Sequence, residues 1–540
     1  MVSCKEPTVI NYQQENDFVW ENANIYFLLT DRFNNGDVTN DLNFDRSKET
    51  AVLRGFEGGD LKGITQKIKE GYFTDLGISA IWMTPIVEQI HGGTDEGTGV
   101  TYGFHGYWAK DWTAIDPNFG TKEDLHELVA EAHSKGIRII LDAVINHTGP
   151  VTENDPVWPS DWIRTEPQCT YDNYENTVTC TLVKNLPDIR TDSNEEVALP
   201  PQLVEKWKSE GRYEQEVAEL DAFFEATGYP RAPRFYIMKW LSDYITDFGI
   251  DGYRCDTVKH TEEYVWQEFK KVCDLAFAKF KKDNPEKVVD ETDFYLVSEV
   301  YNYGISGGRY FDFGNKKVDY YDNAFQGQIN FEFKWNAAQM STEDLFVKYD
   351  NALQNELKGC SVLNYLSSHD DGSPFDPKRE KPFETATKLL LSPGASQVYY
   401  GDEVARELIV EGANGDANLR SAMDWTQYRI NEDRIIVLEH WQRLGKFRHN
   451  HPAVGAGKHQ MISESPYVFK RTYVSDKTTD QVVVALDVAK GKKTIPVGDV
   501  FSEGDVLRDA YSNLTFKVVN GTVEVDTSYD IVLLEKHLKY

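Results

Sequence analysis

Gly252-Tyr253-Arg254-Cys255-Asp256-Thr257-Val258-Lys259-His260 is the stretch on which the fold turns. Its apolar lead-in at Ile250 and its polar end read as a buried strand running out into a loop. Arg254 and Asp256 are two residues apart, so on a strand they face the same side. Three further segments share the design: Asp142–His147, Ser298–Tyr301 and Ser367–Asp370. Together they set Asp142, Asp256, Glu299 and Asp370 at the ends of four strands, in one order along the chain.

Working outward, eight apolar runs begin near Ile25, Ser79, Arg138, Ile250, Phe294, Gly327, Val362 and Gln397. Helix-like stretches lie between most of them, as at Lys122–Lys135, Arg234–Asp247, Glu262–Lys281 and Pro382–Leu391. This alternation predicts an α/β fold, a (β/α)₈ TIM barrel whose working face lies at the C-terminal ends of its strands. Between Asn146 and Ile250 stand roughly a hundred residues, too many for a loop and one helix. A subdomain at 149–233 therefore protrudes after strand 3, with a charged helical stretch near Leu203–Ala226. The barrel takes 1–148 and 234–450, closing with a helix near Glu432–Asn450. Residues 451–540 read as a C-terminal antiparallel β-domain, with strands at Tyr467–Tyr473, Gln481–Val488, Leu514–Val519 and Thr522–Val525. Asn520-Gly521 predicts a hairpin between the last two.

The chain has 540 residues and a net charge of −31, which argues against nucleic acid or an anionic membrane as partner. No run reaches the roughly 18 apolar residues of a transmembrane helix. Aromatic residues make up 13%, enough either to line a sugar-binding cleft or simply to fill a large core. Of six cysteines, Cys169 and Cys180 bracket a polar stretch that resembles a disulfide-closed hairpin. Cys255 faces away from Asp256 and reads as a buried thiol; Cys273 and Cys360 read as core. Cys4, after Val2-Ser3, resembles the mature start of a bacterial lipoprotein, or is an ordinary cysteine near a terminus.

Carboxylates gathered from several strand ends suit one chemistry in particular. Cleaving a glycosidic bond with retention needs two carboxyl groups about 5–5.5 Å apart, a nucleophile and an acid. The four segments, in order, resemble those of glycoside hydrolase family 13, the α-amylases, over a region from about Ile25 to the C-terminus. Asp142-Ala143-Val144-Ile145-Asn146-His147 is similar to the first conserved segment and Gly252–His260 to the second. Ser298-Glu299-Val300-Tyr301 is similar to the third and Ser368-His369-Asp370 to the fourth.

The resemblance implies that Asp256 is the nucleophile, Glu299 the general acid, and Asp370 a third carboxylate gripping the sugar. It also implies substrate contacts from Asp142, Arg254, His147, His369 and Tyr107, with His105 and Trp108 as neighbours. Lys259 and His260 resemble the pair lining the leaving-group side of α-1,4-acting members. Calcium is implied at Asn146, Asp188 and the His260 carbonyl. A second calcium site is implied by Asn35, Asp37, Asn40, Asp41, Gly58 and Asp60. Chloride is not expected, because Ser368 precedes the fourth-segment histidine and Asp371-Gly372-Ser373-Pro374 follow its aspartate.

The implied function is endo-hydrolysis of α-1,4-glucosidic bonds in starch, glycogen or maltooligosaccharides. A glucanotransferase of the same fold is the alternative, and a non-catalytic glucan-binding protein a more distant one. The branch resembled is that of periplasmic or surface enzymes of Gram-negative bacteria, so the expected location is periplasmic or lipid-anchored. Oligomeric state is left open.

Overall fold

The computed structural model describes residues 18–47, 49–95, 97–322 and 324–537. Cys4 and the lipid anchor expected on it lie outside the described residues. Eight parallel strands close into a barrel. They are β1 (Asn24–Leu28), β2 (Ala80–Met83), β3 (Arg138–Ala143), β4 (Gly252–Cys255), β5 (Tyr295–Ser298), β6 (Gly327–Asn330), β7 (Ser361–Asn364) and β8 (Ala395–Tyr399). Each pairs with its successor, and β8 returns to β1 with Asn24 opposite Ser396. Every residue of all eight is buried. Strands covered on both faces carry continuous rather than alternating apolar runs, which is why the sequence marks them so well.

The helices between strands start and stop on local chemistry. Helix α1 (Lys122–Ser134) opens with a capping box, Thr121 Oγ1 taking the Asp124 N–H while Asp124 answers on the Thr121 N–H. Helix α2 (Pro233–Phe248) opens on a proline and stops at Gly249, whose φ of +74° favours glycine. A Cβ there would also lie 2.1 Å from the Phe280 ring. Further helices include α3 (Glu263–Asp283), α4 (Pro382–Leu390) and α5 (Glu432–Asn450).

Between β3 and β4 the chain leaves the barrel. It forms a short pair, Ile163–Arg164 with Asp188–Ile189, and helices Pro201–Ser209 and Tyr213–Thr227. The single helical stretch expected at Leu203–Ala226 is thus two helices, broken where Gly211 turns to φ +72°. Cys169 and Cys180 are disulfide-bonded, but the loop they close holds a helical turn, Glu175–Val178, and not a hairpin. That loop docks on the hairpin Tyr310–Asp312/Lys317–Asp319, which follows β5. Asn315 Oδ1 accepts the Tyr174 N–H at 2.9 Å, its amide donates to Glu175 at 2.8 Å, and Tyr174 meets Phe313 edge-on at 5.2 Å. Lys316 sits 3.7 Å above the Tyr174 ring. Farther out, Trp162 of the insertion stacks on Trp240 of α2 at 6.1 Å, tying it to the barrel wall.

The C-terminal part is antiparallel: β9 (Lys458–Ser463), β10 (Tyr467–Val474), β11 (Thr479–Leu486), β12 (Gly491–Pro496), β13 (Val506–Asp509), β14 (Leu514–Lys517), β15 (Thr522–Thr527) and β16 (Val532–Lys536). One sheet runs β9-β10-β11-β16-β13-β14; β12 and β15 pair separately. The hairpin expected at Asn520-Gly521 needs correcting. Both residues have positive φ, +54° and +72°, and Val519 and Thr522 exchange N–H···O bonds as a tight turn should. The flanking strands then part, β14 to β13 and β15 to β12. The turn chemistry was legible; the partners depend on packing, since β15 buries Val523 and Val525 in a second core with Ile495 and Val497.

Candidate active site

Arg254 joins the strand ends. Its Nη1 donates to Asp142 Oδ1 and Oδ2 at 2.9 and 3.0 Å and to Asp256 Oδ1 at 2.7 Å. Its Nη2 pairs with Glu299 Oε2 at 2.8 Å. Barrel register explains the convergence. Arg254 lies opposite Asp142 on β3, and Cys255 opposite Ser298 on β5. Asp256 and Glu299 are the next residue on each strand, held by Asp256 N to Ala143 O at 3.0 Å and Glu299 N to Cys255 O at 2.9 Å. All four charged groups are buried. Burial pushes the Glu299 carboxyl well above its ordinary range, with Asp256 and Asp370 adding to the rise and Arg254 opposing it.

Glu299 Oε2 accepts a second bond, from the Thr257 backbone N–H at 2.8 Å. Thr257 makes that bond from a left-handed conformation, φ +48°, which a β-branched residue rarely adopts. Strain at a site of converging charge is held in place by the surrounding structure. With Oε2 committed twice as an acceptor, Oε1 is the atom left to carry a proton.

Around this core stand the other residues expected of the site. Tyr107 donates its hydroxyl to Asp142 Oδ2 at 2.9 Å and stacks on His369, ring centres 5.1 Å apart. His147 Nε2 lies 3.1 Å from the Tyr107 carbonyl, and His369 Nδ1 3.5 Å from Asp370 Oδ1. Asp370 keeps about a third of its side chain open, so it faces the cleft. Burial holds His147, His369 and His105 below the ordinary imidazole range, which leaves them neutral and able to donate and accept. His105 Nδ1 accepts the Tyr107 N–H at 3.1 Å. Trp108 is buried against Ile90 and Leu186, edge-on to His105 at 4.6 Å, and so supports the wall rather than lining it. Lys259 reaches the Tyr301 carbonyl at 3.2 Å, its ammonium 5.1 and 5.4 Å from the Tyr301 and Phe311 rings. His260 turns inward, Nδ1 donating to Thr177 O at 3.1 Å.

Sequence reasoning assigned no role to several neighbours. Trp82 donates Nε1 to Asp142 Oδ2 at 3.1 Å, and Arg420 donates to the His369 carbonyl at 3.0 Å. Lys334 pairs with Asp371 beside Asp370. Trp82 sits on β2, where its place near a strand end was the available signal; Arg420 and Lys334 come from far along the chain and carried none.

The residues expected at each cation site lie together. Asn146 Nδ2 meets Asp188 Oδ1 at 2.9 Å and the His260 carbonyl at 3.1 Å; turning the amide would aim its oxygen at the same point. Asp188 Oδ2 is buried without a hydrogen bond, 3.0 Å from Arg164 Nε, and burial raises its carboxyl well above the usual range. In the second cluster Asp60 caps helix Leu61–Lys69 and takes the N–H groups of Gly36 and Asp37 at 3.0 and 2.8 Å. Asn35 bonds Asp41 at 2.9 Å, and Lys62 meets Asp37 at 2.6 Å, lowering its carboxyl to about 2. Gly58 closes the cluster, where a Cβ would lie 2.5 Å from Asn35 and 2.7 Å from Asp41. The Asn40 amide oxygen is buried with no donor, as an oxygen awaiting a cation would be. The donors are mixed amide, carbonyl and carboxylate oxygens, as hard cations prefer; among the described residues no cluster of three His, Cys, Asp or Glu side chains suits a metal.

Comparison with known proteins agrees with the geometry. Residues 27–443 match the family described as Alpha amylase, catalytic domain. The chain is 34% identical over 519 residues to a periplasmic alpha-amylase of Escherichia coli K12, covering 85% of this chain and 72% of that protein. It is 28% identical to a cyclomaltodextrin glucanotransferase of Geobacillus stearothermophilus, covering 84% of this chain but 58% of that one. An Anoxybacillus alpha-amylase structure superposes with a TM-score of 0.67 at 22% identity, over 97% of this chain and 100% of that one. With the barrel, the strand-end carboxylates and these similarities together, the chain belongs to glycoside hydrolase family 13, the alpha-amylase family, and is a glycoside hydrolase.

Proposed function

We propose that the chain cleaves internal α-1,4-glucosidic bonds of starch- or glycogen-type glucans with retention of anomeric configuration. The observation that carries this is a single guanidinium, Arg254, bonded to both Asp256 and Glu299. Two carboxyl groups gripped by one guanidinium stand near each other, which supports a retaining pair, whose carboxyl groups are close together. Asp256 attacks the anomeric carbon as Glu299 Oε1 gives its proton to the departing oxygen. Glu299 then takes a proton from water, which attacks the same carbon and releases Asp256. Arg254 Nη1 fixes Asp256 through Oδ1, and Thr257 fixes Glu299 through Oε2. His147, His369, Asp370 and Tyr107 hold the sugar undergoing cleavage. Lys259, with Tyr301 and Phe311, receives the leaving side.

Glu299→Gln tests the acid directly. Starch hydrolysis is expected to fall by about 10²–10⁴-fold, while α-maltosyl fluoride, whose leaving group needs no proton, is still turned over. An equal loss on both substrates would remove Glu299 from the acid's role. A chromatogram of products from maltoheptaose, with the first anomer read by NMR, separates hydrolysis from transfer: α-maltooligosaccharides support the proposal, cyclic or longer products a glucanotransferase.

The acid must be protonated, so activity is lost as pH rises through the Glu299 pKa. That places the alkaline limb of kcat/KM well above an ordinary glutamate. Asp370→Asn removes a like charge that raises this pKa, so the limb is expected to move to lower pH. A limb that stays put would show that Asp370 does not act on Glu299.

Calcium is proposed at Asn146, Asp188 and the His260 carbonyl, and a second ion at Asn35, Asp37, Asn40, Asp41, Gly58 and Asp60. The first would clip the insertion onto the barrel, since its ligands come from both. A ligand bound only by the folded state stabilises it by mass action. Chelation is therefore expected to lower Tm by a few degrees, restored by calcium and not by sodium; an unchanged Tm would refute both sites. The Cys169–Cys180 disulfide favours an extracytoplasmic setting. No helix among the described residues is long and apolar enough to cross a membrane.

A further inference from the structure

Lys334 is 5% exposed, an unusual place for a lysine unless its charge is paired. It stands in the first turn of the helix Phe333–Gln339, which begins three residues after β6 ends and so lies at the catalytic end of the barrel. Its ammonium pairs with Asp371, whose side chain is 12% exposed. Tyr365, the residue after β7, donates its hydroxyl to the same Asp371 Oδ2 at 2.5 Å. Asp371 Oδ1 accepts the Ser373 N–H at 3.1 Å. Both oxygens of Asp371 are engaged within the protein, so this carboxylate serves the loop it sits on.

Asp371 directly follows Asp370, on a loop whose ends are joined by a bond from the Phe375 N–H to Leu366 O at 2.8 Å. Before Asp370 the loop is held by Ser367 on Asp402 at 2.5 Å and by Arg420 on the His369 carbonyl at 3.0 Å. After Asp370 the hold is Asp371. The Asp370 carboxylate is itself loosely kept, 3.5 Å from His369 Nδ1 with about a third of its side chain open. Its aim is therefore set by the backbone on either side. A buried ion pair adds little net stability, because desolvating both charges offsets their attraction. What the Lys334–Asp371 pair does to its neighbour is the better reason for its presence. Burial raises the Asp370 carboxyl, Arg254 and Arg420 oppose the rise, and Asp371 adds to it. Lys334 offsets that adjacent charge.

We propose that Lys334 and Tyr365 are positioning residues for Asp370, acting through Asp371: they fix the loop that aims Asp370 into the cleft and screen it from the negative charge next to it. The inference rests on the role given to Asp370 in the function proposed above.

A double-mutant cycle on the full-length enzyme tests it, with kcat/KM on α-maltosyl fluoride and Tm read together. Lys334→Met keeps the bulk of the side chain and removes its charge. It is expected to lower kcat/KM about 10²-fold, the scale of a displaced catalytic group. Adding Asp371→Asn removes the uncompensated charge, keeps an acceptor for Tyr365 and should recover about tenfold. In an Asp370→Asn background, Lys334→Met should cost no more than about twofold, because a residue acting through Asp370 has nothing left to act through. Tyr365→Phe loses a single hydroxyl; it should cost a few-fold in the parent and nothing in Asp370→Asn. It carries the test should Lys334→Met fail to fold. Equal losses in the two backgrounds would make the pair merely structural and overturn the inference alone. An Asp370→Asn enzyme as active as the parent would remove Asp370 from the machinery, and overturn the reading beneath the inference.

Discussion

Asp256→Asn should lower kcat on maltoheptaose by about 10⁵-fold, with the circular dichroism spectrum unchanged. The amide is nearly isosteric and its oxygen can still accept from Arg254 Nη1, so the packing of the strand ends survives. What disappears is the only feature a nucleophile needs, a lone pair backed by a full negative charge. Glu299 cannot substitute, because both donors to it converge on Oε2 and its pKa is held high. Stability should hold, since Arg254 keeps Asp142 and Glu299 as partners and the amide oxygen still accepts from it. The decisive readout pairs kcat with Tm. Residual activity within about a hundredfold of the parent, at unchanged Tm, would pass the nucleophile's role to another group.

Arg254→Leu should do the broadest damage, and most of it to the fold. Arg254 is bonded to Asp142, Asp256 and Glu299, all buried. Removing one partner of a buried ion pair costs about 3–5 kcal/mol, because the survivor stays dry and uncompensated. Here three carboxylates lose one cation. Burial already raises Asp142 to about 7 and Glu299 well above its ordinary range with the guanidinium in place, and losing it raises both further, so the variant's deficit is fully felt above those raised values and shrinks as pH falls through them. Denaturant unfolding at pH 9 and pH 6 should therefore show a large loss at the first and a smaller loss at the second. Arg254→Lys should recover little, since an ammonium is one point charge and cannot span partners on three strands. A variant equally unstable at both pH values would mean that the side chain's packing, and not its charge, is what matters.

The barrel was legible because its strands are buried on both faces and read as uninterrupted apolar runs. The strand-end residues were legible for a related reason. A carboxylate directly after such a run, as at Asp256 and Glu299, has little local purpose there. Thr257 was written in the same segment but its left-handed turn was not, since nothing in a threonine announces positive φ. The pairing of β14 and β15 was hidden because a turn dictates only its own four residues. Arg420 and Lys334 were hidden because their meaning lies in residues remote in sequence, His369 for one and Asp371 for the other. Local chemistry is written locally; a partner chosen by the fold is not.

The disulfide loop and the hairpin after β5 are separate in the chain, yet Asn315, Lys316 and Phe313 on one side interlock with Tyr174 and Glu175 on the other. For anyone redesigning the proposed leaving side, the two are one inheritable part. Transplanting the hairpin alone into a related barrel would carry Phe311 across and leave behind the surface that aims it. The donor's 169–180 loop has to travel with it, cysteines included, and a graft that ignores this should yield a folded barrel whose acceptor preference has not moved.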